Sequence, residues 1–386
     1  MIVGRTQGRS NGSPALQSAL DAAGPAVEVA IRAPGRANLI GEHTDYNEGF
    51  VLPVALNLAT YVAGRRTKGT IRLRSADFPD VAVVDLTTGR GDSQGWGRYV
   101  SAVVRSLRDA GVAITGFVGT VASDLPIGAG LSSSAALEVA VALALAAEAL
   151  DPLRLAEICR RAENVYVGVQ CGIMDQLTAT SARAEHALRI DCEDNSTAFV
   201  PFPRDLRVLV IDSGVGRSLD SGAYNARLAE CQRAATALGL RSLRYATLED
   251  LDRRRGEMDD PAYRRARHVV SENVRVLDAI DAFRIRDLDR VGELFAESHR
   301  SLAKDFEVST TDLDTLVEIA LKTEGVVATR LTGAGFGGCT VNLVRRAQAE
   351  AISREILERY QSRTGRSGRA WISEPAGGAG LVDTSD

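Results

Sequence analysis

The sequence predicts two domains that both contain strands and helices, and three observations support this prediction. The chain has 386 residues, and 45% of them are hydrophobic, which is enough for two cores of ordinary size. Residues 27–122 are mostly short runs of β-branched residues separated by Gly, Pro and Asp, a pattern typical of strands and turns. From residue 131 onward, apolar residues recur mainly at helical spacing. We place the domains at residues 27–195 and 196–386, with the boundary between about 183 and 206.

In the first half, a helix is predicted at residues 96–111, and strands are predicted at residues 27–33, 50–64, 70–75, 81–86 and 116–122. The alanine-rich run 135–150 is predicted to be a buried helix. It contains Glu138 and Glu148 and is shorter than the roughly 20 apolar residues of a membrane-spanning helix. The next helix is predicted to begin at Asp151, which serves as its N-cap, with Pro152 in the first helical position.

In the second half, the same patterns predict strands at 207–215, 325–333 and 339–344, and helices at 221–238, 261–283, 311–323 and 347–361. Residues 1–26 contain Gly, Ser, Asn and Pro but no continuous apolar run, and we expect them to be disordered. We expect the tail at residues 377–386 to be frayed.

The charge and the cysteines narrow the class of protein. The net charge of −4 gives no electrostatic reason to bind nucleic acid or an anionic membrane. The five cysteines are odd in number and form no CxxC pair, which fits a reducing compartment. Because the first 26 residues are also a poor secretory signal, we expect a cytoplasmic protein.

Residues 35–49, GRANLIGEHTDYNEG, concentrate polar side chains between two apolar runs. Polar groups at the edge of a core need partners, so either the protein satisfies them internally or a polar ligand does. A capped polar loop and a metal site are both alternatives to a ligand loop. The histidines outside this stretch, His186, His268 and His299, form no ligand spacing with it, which disfavours a metal.

Residues 124–140, DLPIGAGLSSSAALEVA, place two glycines and three serines at the start of the predicted buried helix. A helix N-terminus offers free N–H groups and a positive dipole, so this stretch is a candidate polyphosphate site. A serine-capped core helix is the alternative. No lysine stands in a GxxxxGK[ST] pattern, which excludes a Walker loop. The GxGxxG at 333–338 precedes a predicted strand rather than a helix, which disfavours a dinucleotide site.

Five segments together resemble the galactokinase branch of the GHMP small-molecule kinases. In the order of the family they are GRANLIGEHTDYNEG (35–49), PIGAGLSSSA (126–135), GIMDQ (172–176), SHRSLAKDFEVST (298–310) and LTGAGFGGC (331–339). The resemblance implies an α+β fold with an N-terminal mixed-sheet domain, a C-terminal ferredoxin-like domain and an active site in the cleft between them. It also implies ATP-dependent phosphorylation of the anomeric C1 hydroxyl of D-galactose to galactose 1-phosphate and ADP, the first committed step of galactose catabolism. The implied partners are the small molecules galactose and ATP. The implied oligomeric state is a monomer or a weak homodimer.

The resemblance also assigns candidate roles to individual residues. Asp175 is implied as the catalytic base, with Arg36 as its partner. The implied galactose contacts are Glu42, His43, Asp45, Gly172, Asp175 and Tyr224. The implied ATP contacts are Trp96, Tyr99, Gly128, Gly130, Leu131, Ser132, Ser133 and Ser134, and the implied Mg²⁺ ligands are Ser134 and Glu163. From the residues alone, an Arg36–Asp175 ion pair, an exposed helical Glu163 and a core position for the two aromatic residues remain alternatives.

The sequence departs from the family pattern at a few positions. Gly222 and Leu228 stand where many members have Ser and Arg, which puts the strictness of the galactose preference in doubt. A kinase for a 2-substituted sugar is therefore one rival. A sugar- and ATP-binding sensor without turnover is another, but such sensors lack the Ser-Ala pair that stands here at Ser134 and Ala135.

Overall fold

The structure is a computed structural model that describes residues 13–92, 94–215 and 221–383. Its helices are α1 Pro14–Ala23, α2 Gly97–Asp109, α3 Ser133–Leu145, α4 Pro152–Arg161, α5 Met174–Ser181, α6 Ser221–Leu238, α7 Leu248–Arg253, α8 Asp260–Ile285, α9 Leu288–Lys304, α10 Thr311–Leu321 and α11 Ala349–Thr364. Its strands are β1 Val29–Asn38, β2 Phe50–Val51, β3 Pro53–Thr67, β4 Thr70–Ser75, β5 Val81–Asp85, β6 Gly116–Ser123, β7 His186–Asp191, β8 Ser196–Pro201, β9 Leu206–Asp212, β10 Val326–Thr332, β11 Cys339–Arg345, β12 Arg369–Ser373 and β13 Gly380–Leu381.

The first half is built on a six-stranded mixed sheet in the order β13-β1-β3-β6-β4-β5, in which β4 and β6 are parallel. One face of this sheet packs against α2 and α3 in the largest core cluster. Helix α3 is apolar almost all round, and residues such as Val139 and Val141 are fully buried, as its sequence predicts. The other face is covered by α1, whose Leu16 and Ala19 join Tyr61 and Ala63 in a smaller cluster.

The second half contains a four-stranded antiparallel sheet in the order β10-β11-β9-β12. With its crossover helices, this is the ferredoxin-like order implied by the family resemblance. Helices α10 and α11 cover one face and bury residues such as Leu316 and Ile356 against Leu209 and Ile211. A separate three-stranded sheet, β2-β7-β8, lies beside the end of β1. The predicted α+β class with a mixed-sheet half and a ferredoxin-like half is confirmed.

Three local predictions are wrong, two at the ends of the sequence and one at the end of β1. The disorder predicted for residues 1–26 does not hold for Pro14–Ala23, where Ser13 caps α1 and the helix finds an apolar sheet face to cover; residues 1–12 lie outside the described residues. The tail predicted to fray contains β13, because Leu381 pairs with Ile31 on the open edge of β1. This pairing also returns the end of the chain to the first half, across the boundary that we predict. The domain bounds themselves remain a prediction.

The stretch from residue 35 was expected to be a loop, but its first part continues β1 as far as Asn38. A register shift between Pro34 and Arg36 accommodates the proline in the pairing with β3. Gly35 is required there, since a Cβ would lie 2.3 Å from the Leu125 side chain and 2.6 Å from the Leu131 carbonyl oxygen. Among the described residues, none of the helices is both long and apolar enough to cross a membrane.

Candidate active site

The first part of the site is the segment 41–49 between β1 and β2, here called the sugar loop. Although it is polar, most of it is buried, and Glu42 and His43 are only 2% and 5% exposed. The hydroxyl of Thr44 closes the loop on itself by donating to the carbonyl oxygens of Gly41 and Phe50 at 2.9 and 2.6 Å. The backbone is therefore held in place, while several side-chain groups are left to face other parts of the chain.

Glu42 connects the sugar loop to the second half of the chain. Its Oε1 accepts a hydrogen bond from the backbone N–H of Gly333 at 2.7 Å and lies 3.6 Å from Nη1 of Arg330. Arg330 is fully buried and donates to the carbonyl oxygens of Asn38 and Leu39. One carboxylate oxygen of Glu42 is thus engaged by the protein, which leaves Oε2 as the oxygen that can accept from a ligand.

His43 lies in an aromatic cluster. Its ring is 4.5 Å from that of Phe306 and 6.1 Å from that of Tyr224, and Nδ1 is 2.8 Å from the hydroxyl of Tyr46. Burial, followed by the charge of His268, lowers the pKa of His43 well below its usual value, so the ring is neutral. Nε2 of His43 is buried and forms no hydrogen bond of good geometry among the described residues, although the backbone of Ala334 interacts with the ring and partly offsets the lowering of its pKa. A polar ligand group would satisfy it.

Asp45 follows in the same loop and is packed closely against the backbone of Gly172. A Cβ at residue 172 would lie 2.1 Å from Oδ2 of Asp45, so only glycine fits there. Burial, followed by the charge of Asp175, raises the pKa of Asp45 to about 7; the backbone N–H of Tyr46 acts in the opposite direction. The carboxyl group of Asp45 therefore shares its surroundings with a second acid.

That second acid, Asp175, lies in the first turn of α5 and is held by two side chains. Arg36 donates from Nε to Oδ1 at 2.9 Å and from Nη2 to Oδ2 at 3.0 Å, a bidentate pair that is mostly buried on the arginine side. The hydroxyl of Ser132 donates to Oδ2 at 2.5 Å. Arg36 also donates from Nη1 to the Gly130 carbonyl oxygen at 2.6 Å. Asp175 is thereby tied to the segment that precedes α3.

That segment, residues 126–134, is here called the phosphate loop. It bends through positive φ angles at Gly128, Gly130 and Ser132 and then enters α3, so the free N–H groups of the helix start lie next to Ser132 and Asp175. Ser132 is unusual because a residue with a Cβ adopts the left-handed region, at φ 60°. The backbone N–H of Arg36 donates to the Leu131 carbonyl oxygen at 3.1 Å, which joins the loop to β1.

A chain of buried oxygen ligands lies on the other side of Asp175. Glu163 sits in a short π-helix, Ala162–Val167, a rare form that turns its carboxylate inward. Its Oε2 accepts from Nε2 of Gln176 at 2.7 Å, and Ser134 also hydrogen-bonds to this carboxylate. Burial, followed by the charge of Asp175, raises the pKa of Glu163. Asp175 thus acts electrostatically on the sugar loop on one side and on Glu163 on the other.

The hard oxygen atoms of Ser134 and Glu163 suit Mg²⁺, which prefers such ligands and keeps several waters. No group of three or more His, Cys, Asp or Glu side chains is placed to hold a metal in the described part of the chain. A cation here would therefore need oxygen ligands from a bound nucleotide as well, as Mg²⁺ in kinases commonly does.

Trp96 and Tyr99, the implied adenine contacts, lie at the start of α2. Trp96 is 8% exposed, belongs to the core cluster under the six-stranded sheet and donates from Nε1 to the Asp80 carbonyl oxygen. Tyr99 is partly exposed on α2 and lies beside the guanidinium of Arg98. Trp96 is packed in the core, and a role for Trp96 and Tyr99 beside adenine remains a prediction.

Several residues around the site were not singled out from the sequence. Gln176 donates to both Glu163 and Glu138, and Glu138 is fully buried in α3. A signal was present for Glu138, since it is a carboxylate in an otherwise apolar helix. Nothing in the sequence distinguishes Arg330 in β10 or Glu272 in α8 as buried, because charged residues in strands and helices of this composition are usually exposed.

Comparisons with known proteins establish the family of the chain. Residues 18–66 match the galactokinase galactose-binding signature, residues 98–183 match the N-terminal domain of the GHMP kinases, and residues 279–362 match their C-terminal domain. A galactokinase from Roseiflexus sp. (strain RS-1) is 46% identical over 365 residues, which cover 92% of this chain and 93% of that protein. A galactokinase from Bos taurus is 42% identical over 382 residues, covering 95% of this chain and 96% of that protein.

Among solved structures, the galactokinase of Lactococcus lactis in complex with galactose superposes with a TM-score of 0.88 at 33% identity, covering 92% of this chain and 95% of that chain. The mevalonate kinase of Methanococcus jannaschii gives a TM-score of 0.64 at 18% identity, a likeness of fold alone. The family models cover the sugar loop, the phosphate loop, Glu163 and the start of α5, and both curated relatives match more than nine-tenths of the chain. The chain therefore belongs to the galactokinase family of the GHMP kinases.

Proposed function

We propose that the sugar loop, the phosphate loop and the start of α5 form one active site that phosphorylates D-galactose with ATP. The chain is a kinase of the galactokinase family, and the reaction is transfer of the γ-phosphoryl group to the anomeric C1 hydroxyl. The observation that supports this site best is the position of Asp175. Its carboxylate is bonded to Ser132 of the phosphate loop and to Arg36, and its charge acts on Asp45 of the sugar loop.

Galactose would be held by the sugar loop. Each sugar hydroxyl can both donate and accept, and carboxylates accept from hydroxyls while a neutral histidine can do either. Oε2 of Glu42, Nε2 of His43 and the carboxylate of Asp45 are the groups whose geometry suits them for this role. The ring of Tyr224 and the backbone of Gly172 close the site around them.

In the transfer, the bond from galactose O1 to the γ phosphorus forms as the bond from that phosphorus to the bridging oxygen breaks, and ADP leaves. The proton of the C1 hydroxyl passes to Asp175. A carboxylate is a much weaker base than a sugar alkoxide, so the proton moves with or after the transfer rather than before it. A loose transition state needs little charge on the attacking oxygen. Arg36 would hold Asp175 in place and offset charge on the transferring group.

The triphosphate would lie over the N–H groups at the start of α3, where the dipole favours negative charge. Gly128, Gly130, Leu131, Ser132 and Ser133 of the phosphate loop would line it. Ser134 and Glu163 would hold Mg²⁺, whose charge offsets that of the β and γ oxygens. Gln176 would orient the carboxylate of Glu163 through their 2.7 Å hydrogen bond.

We also propose a cytoplasmic protein that acts on small molecules, as a monomer or weak homodimer, without nucleic acid or membrane. The odd number of cysteines and the lack of a CxxC pair in the sequence support a reducing compartment.

The test is ADP release in the presence of ATP, Mg²⁺ and galactose. Asp175→Asn should lower kcat at least about 100-fold, because it removes the proton acceptor and half of the ion pair with Arg36. Asp109→Asn is the matched control, since Asp109 pairs with Arg161 on the surface. Turnover of Asp175→Asn equal to that of the parent enzyme would contradict the assigned role.

The same assay separates the rival functions. Galactose, its 2-amino and 2-acetamido derivatives, glucose and mevalonate are compared as acceptors. A kinase for a 2-substituted sugar would turn over the acetamido derivative fastest, and a sugar- and ATP-binding sensor would release no ADP with any of them.

A further inference from the structure

Side chains of helix α8, from the second half of the chain, hold the backbone of the sugar loop. Nε2 of His268 lies 3.1 Å from the carbonyl oxygen of Glu42, and Oε1 of Glu272 accepts from the Gly41 N–H at 3.0 Å. One residue further along α8, Oδ1 of Asn273 accepts from the N–H of the residue that follows the loop at 3.0 Å. Residues 268 and 272 lie one turn apart on the same face of the helix, and residue 273 lies beside that face. All three contacts reach main-chain groups, so they fix the loop whatever its side chains bind.

Glu272 also hydrogen-bonds to two other side chains of the second half. It is fully buried, and the oxygen that accepts from Gly41 also accepts from the hydroxyl of Ser298 at 2.6 Å. Its other oxygen accepts from Nε of Arg275 at 2.7 Å. Burial alone would raise the pKa of Glu272, but Arg275, His268 and then Arg330 outweigh it and lower the pKa to about 2. Glu272 is therefore ionised at any pH at which the enzyme would be assayed.

Arg330 links Glu272 to the sugar loop a second time. Its Nη2 lies 3.9 Å from Oε1 of Glu272, and its Nη1 lies 3.6 Å from Oε1 of Glu42. Nε and Nη2 of Arg330 are buried without a hydrogen-bond partner among the described residues. The charge of Arg330 is thus divided between two carboxylates. If one carboxylate were lost, the guanidinium would interact with the other carboxylate alone, because an uncompensated buried charge is costly.

We propose that Glu272 is a positioning residue that sets the affinity for galactose without touching the sugar. It anchors the first residue of the sugar loop, and it takes a share of the charge of Arg330 so that Glu42 stays available to a sugar hydroxyl. This inference rests on the proposed sugar site. It adds a determinant of sugar affinity that lies in the second half of the chain and outside the five segments of the family pattern.

The test is Glu272→Gln, which keeps the size of the side chain and removes its charge. Galactose KM, and the Kd for galactose measured by calorimetry, should rise about 10-fold, the size expected for weakening hydrogen bonds to a charged group. KM for ATP should stay within about twofold, since the phosphate loop has no contact with Glu272. Glu272→Gln combined with Arg330→Gln should recover part of the galactose affinity, because the arginine that would draw on Glu42 is then neutral.

Ser298→Ala is a second variant that leaves every charge in place and removes one hydrogen bond to Oε1 of Glu272. It should raise galactose KM about threefold, and it decides the question if Glu272→Gln does not fold. Thr323→Val is the control for general damage, because it removes a buried hydrogen bond in the same half of the chain, from Thr323 to the Ile319 carbonyl oxygen, away from the loop. It should leave galactose KM unchanged.

Asp45→Asn distinguishes this inference from the proposed function. If Asp45→Asn leaves galactose binding intact, the sugar site itself is wrong, and the inference fails with it. If Asp45→Asn weakens galactose binding while Glu272→Gln and Ser298→Ala leave it within twofold, only the role of Glu272 is overturned. An equal rise in KM for ATP and for galactose in Glu272→Gln would also overturn it, because that is the signature of general damage.

Discussion

Galactose affinity should depend on pH through Asp45. Burial and the neighbouring charge of Asp175 raise the pKa of Asp45 to about 7, so this carboxyl group holds its proton below neutral pH and loses it above. Sugar hydroxyls donate to a carboxylate, and the ionised form should therefore bind galactose better. With a pKa of about 7, the ionised fraction rises from roughly 0.1 at pH 6 to roughly 0.9 at pH 8, and the affinity should rise about 10-fold over the same range.

His43, Tyr46 and Tyr224, which surround the sugar site, do not change charge in this range. The pKa of His43 is lowered well below its usual value, and the pKa values of Tyr46 and Tyr224 are raised well above theirs, in each case mainly by burial. Near pH 7, where about half of the protein carries the proton on Asp45, binding should release about half a proton per galactose.

Isothermal titration calorimetry of galactose alone, at pH 6, 7 and 8, measures both effects. At pH 7 the titration is run in phosphate and in Tris, whose heats of ionisation differ, so proton release appears as a difference in apparent binding enthalpy. Asp45→Asn is the control, and its galactose affinity should be flat across this range. The reasoning fails if the affinity of the parent protein is the same at pH 6 and pH 8 with equal enthalpies in both buffers, or if the Asn variant keeps the pH dependence.

Three further predictions concern the two loops and the metal site. Ser132→Ala and Ser132→Gly both lose the hydroxyl that donates to Asp175 and should lower kcat by similar factors. The glycine variant should be about 1 kcal/mol more stable in chemical denaturation, because Ser132 has a positive φ; equal stability would contradict this. Gly172→Ala places a methyl group 2.1 Å from Asp45 and should raise galactose KM at least about 10-fold with little change in KM for ATP, measured by ADP release; an unchanged galactose KM would show that the close contact is unimportant. Gln176→Leu removes the hydrogen-bond donor to Glu163. The Mg²⁺ concentration for half-maximal rate should then rise about 10-fold in a titration at fixed ATP. An unchanged Mg²⁺ requirement would show that Gln176 does not orient Glu163 for the metal.

Much of the fold follows from local patterns that need no knowledge of distant contacts. The apolar run of α3 can only be a buried helix, and the Asp151-Pro152 pair marks the start of α4, where Asp151 accepts from the backbone N–H groups of Leu153 and Arg154. The polar loop and the serine-rich helix start are unusual enough in composition to reveal two halves of a site. That they meet at Asp175 came from the family resemblance and not from the residues themselves.

The features that were missed depend on distant partners. The Pro34-Gly35 pair looks like a turn, yet the strand continues through it. It continues because β1 pairs with β3 and the N–H that follows Gly35 donates to the Leu131 carbonyl oxygen. Glu272 and Arg330 look like ordinary charged residues, and only the packing of α8 and β10 against the sugar loop buries them. A pattern read along the chain has no access to such contacts.

The pairing of β13 with β1 has a consequence for synthesis on the ribosome. Residues 380–381 supply the last strand of a sheet whose other five strands are complete by residue 123, so the free edge of β1 stays uncovered while more than half of the polypeptide is still being made. An open strand edge is a site for wrong pairing with other chains. The nascent protein is therefore exposed to aggregation at this edge until its final segment emerges, and a premature stop codon a few residues upstream of β13 would make that exposure permanent.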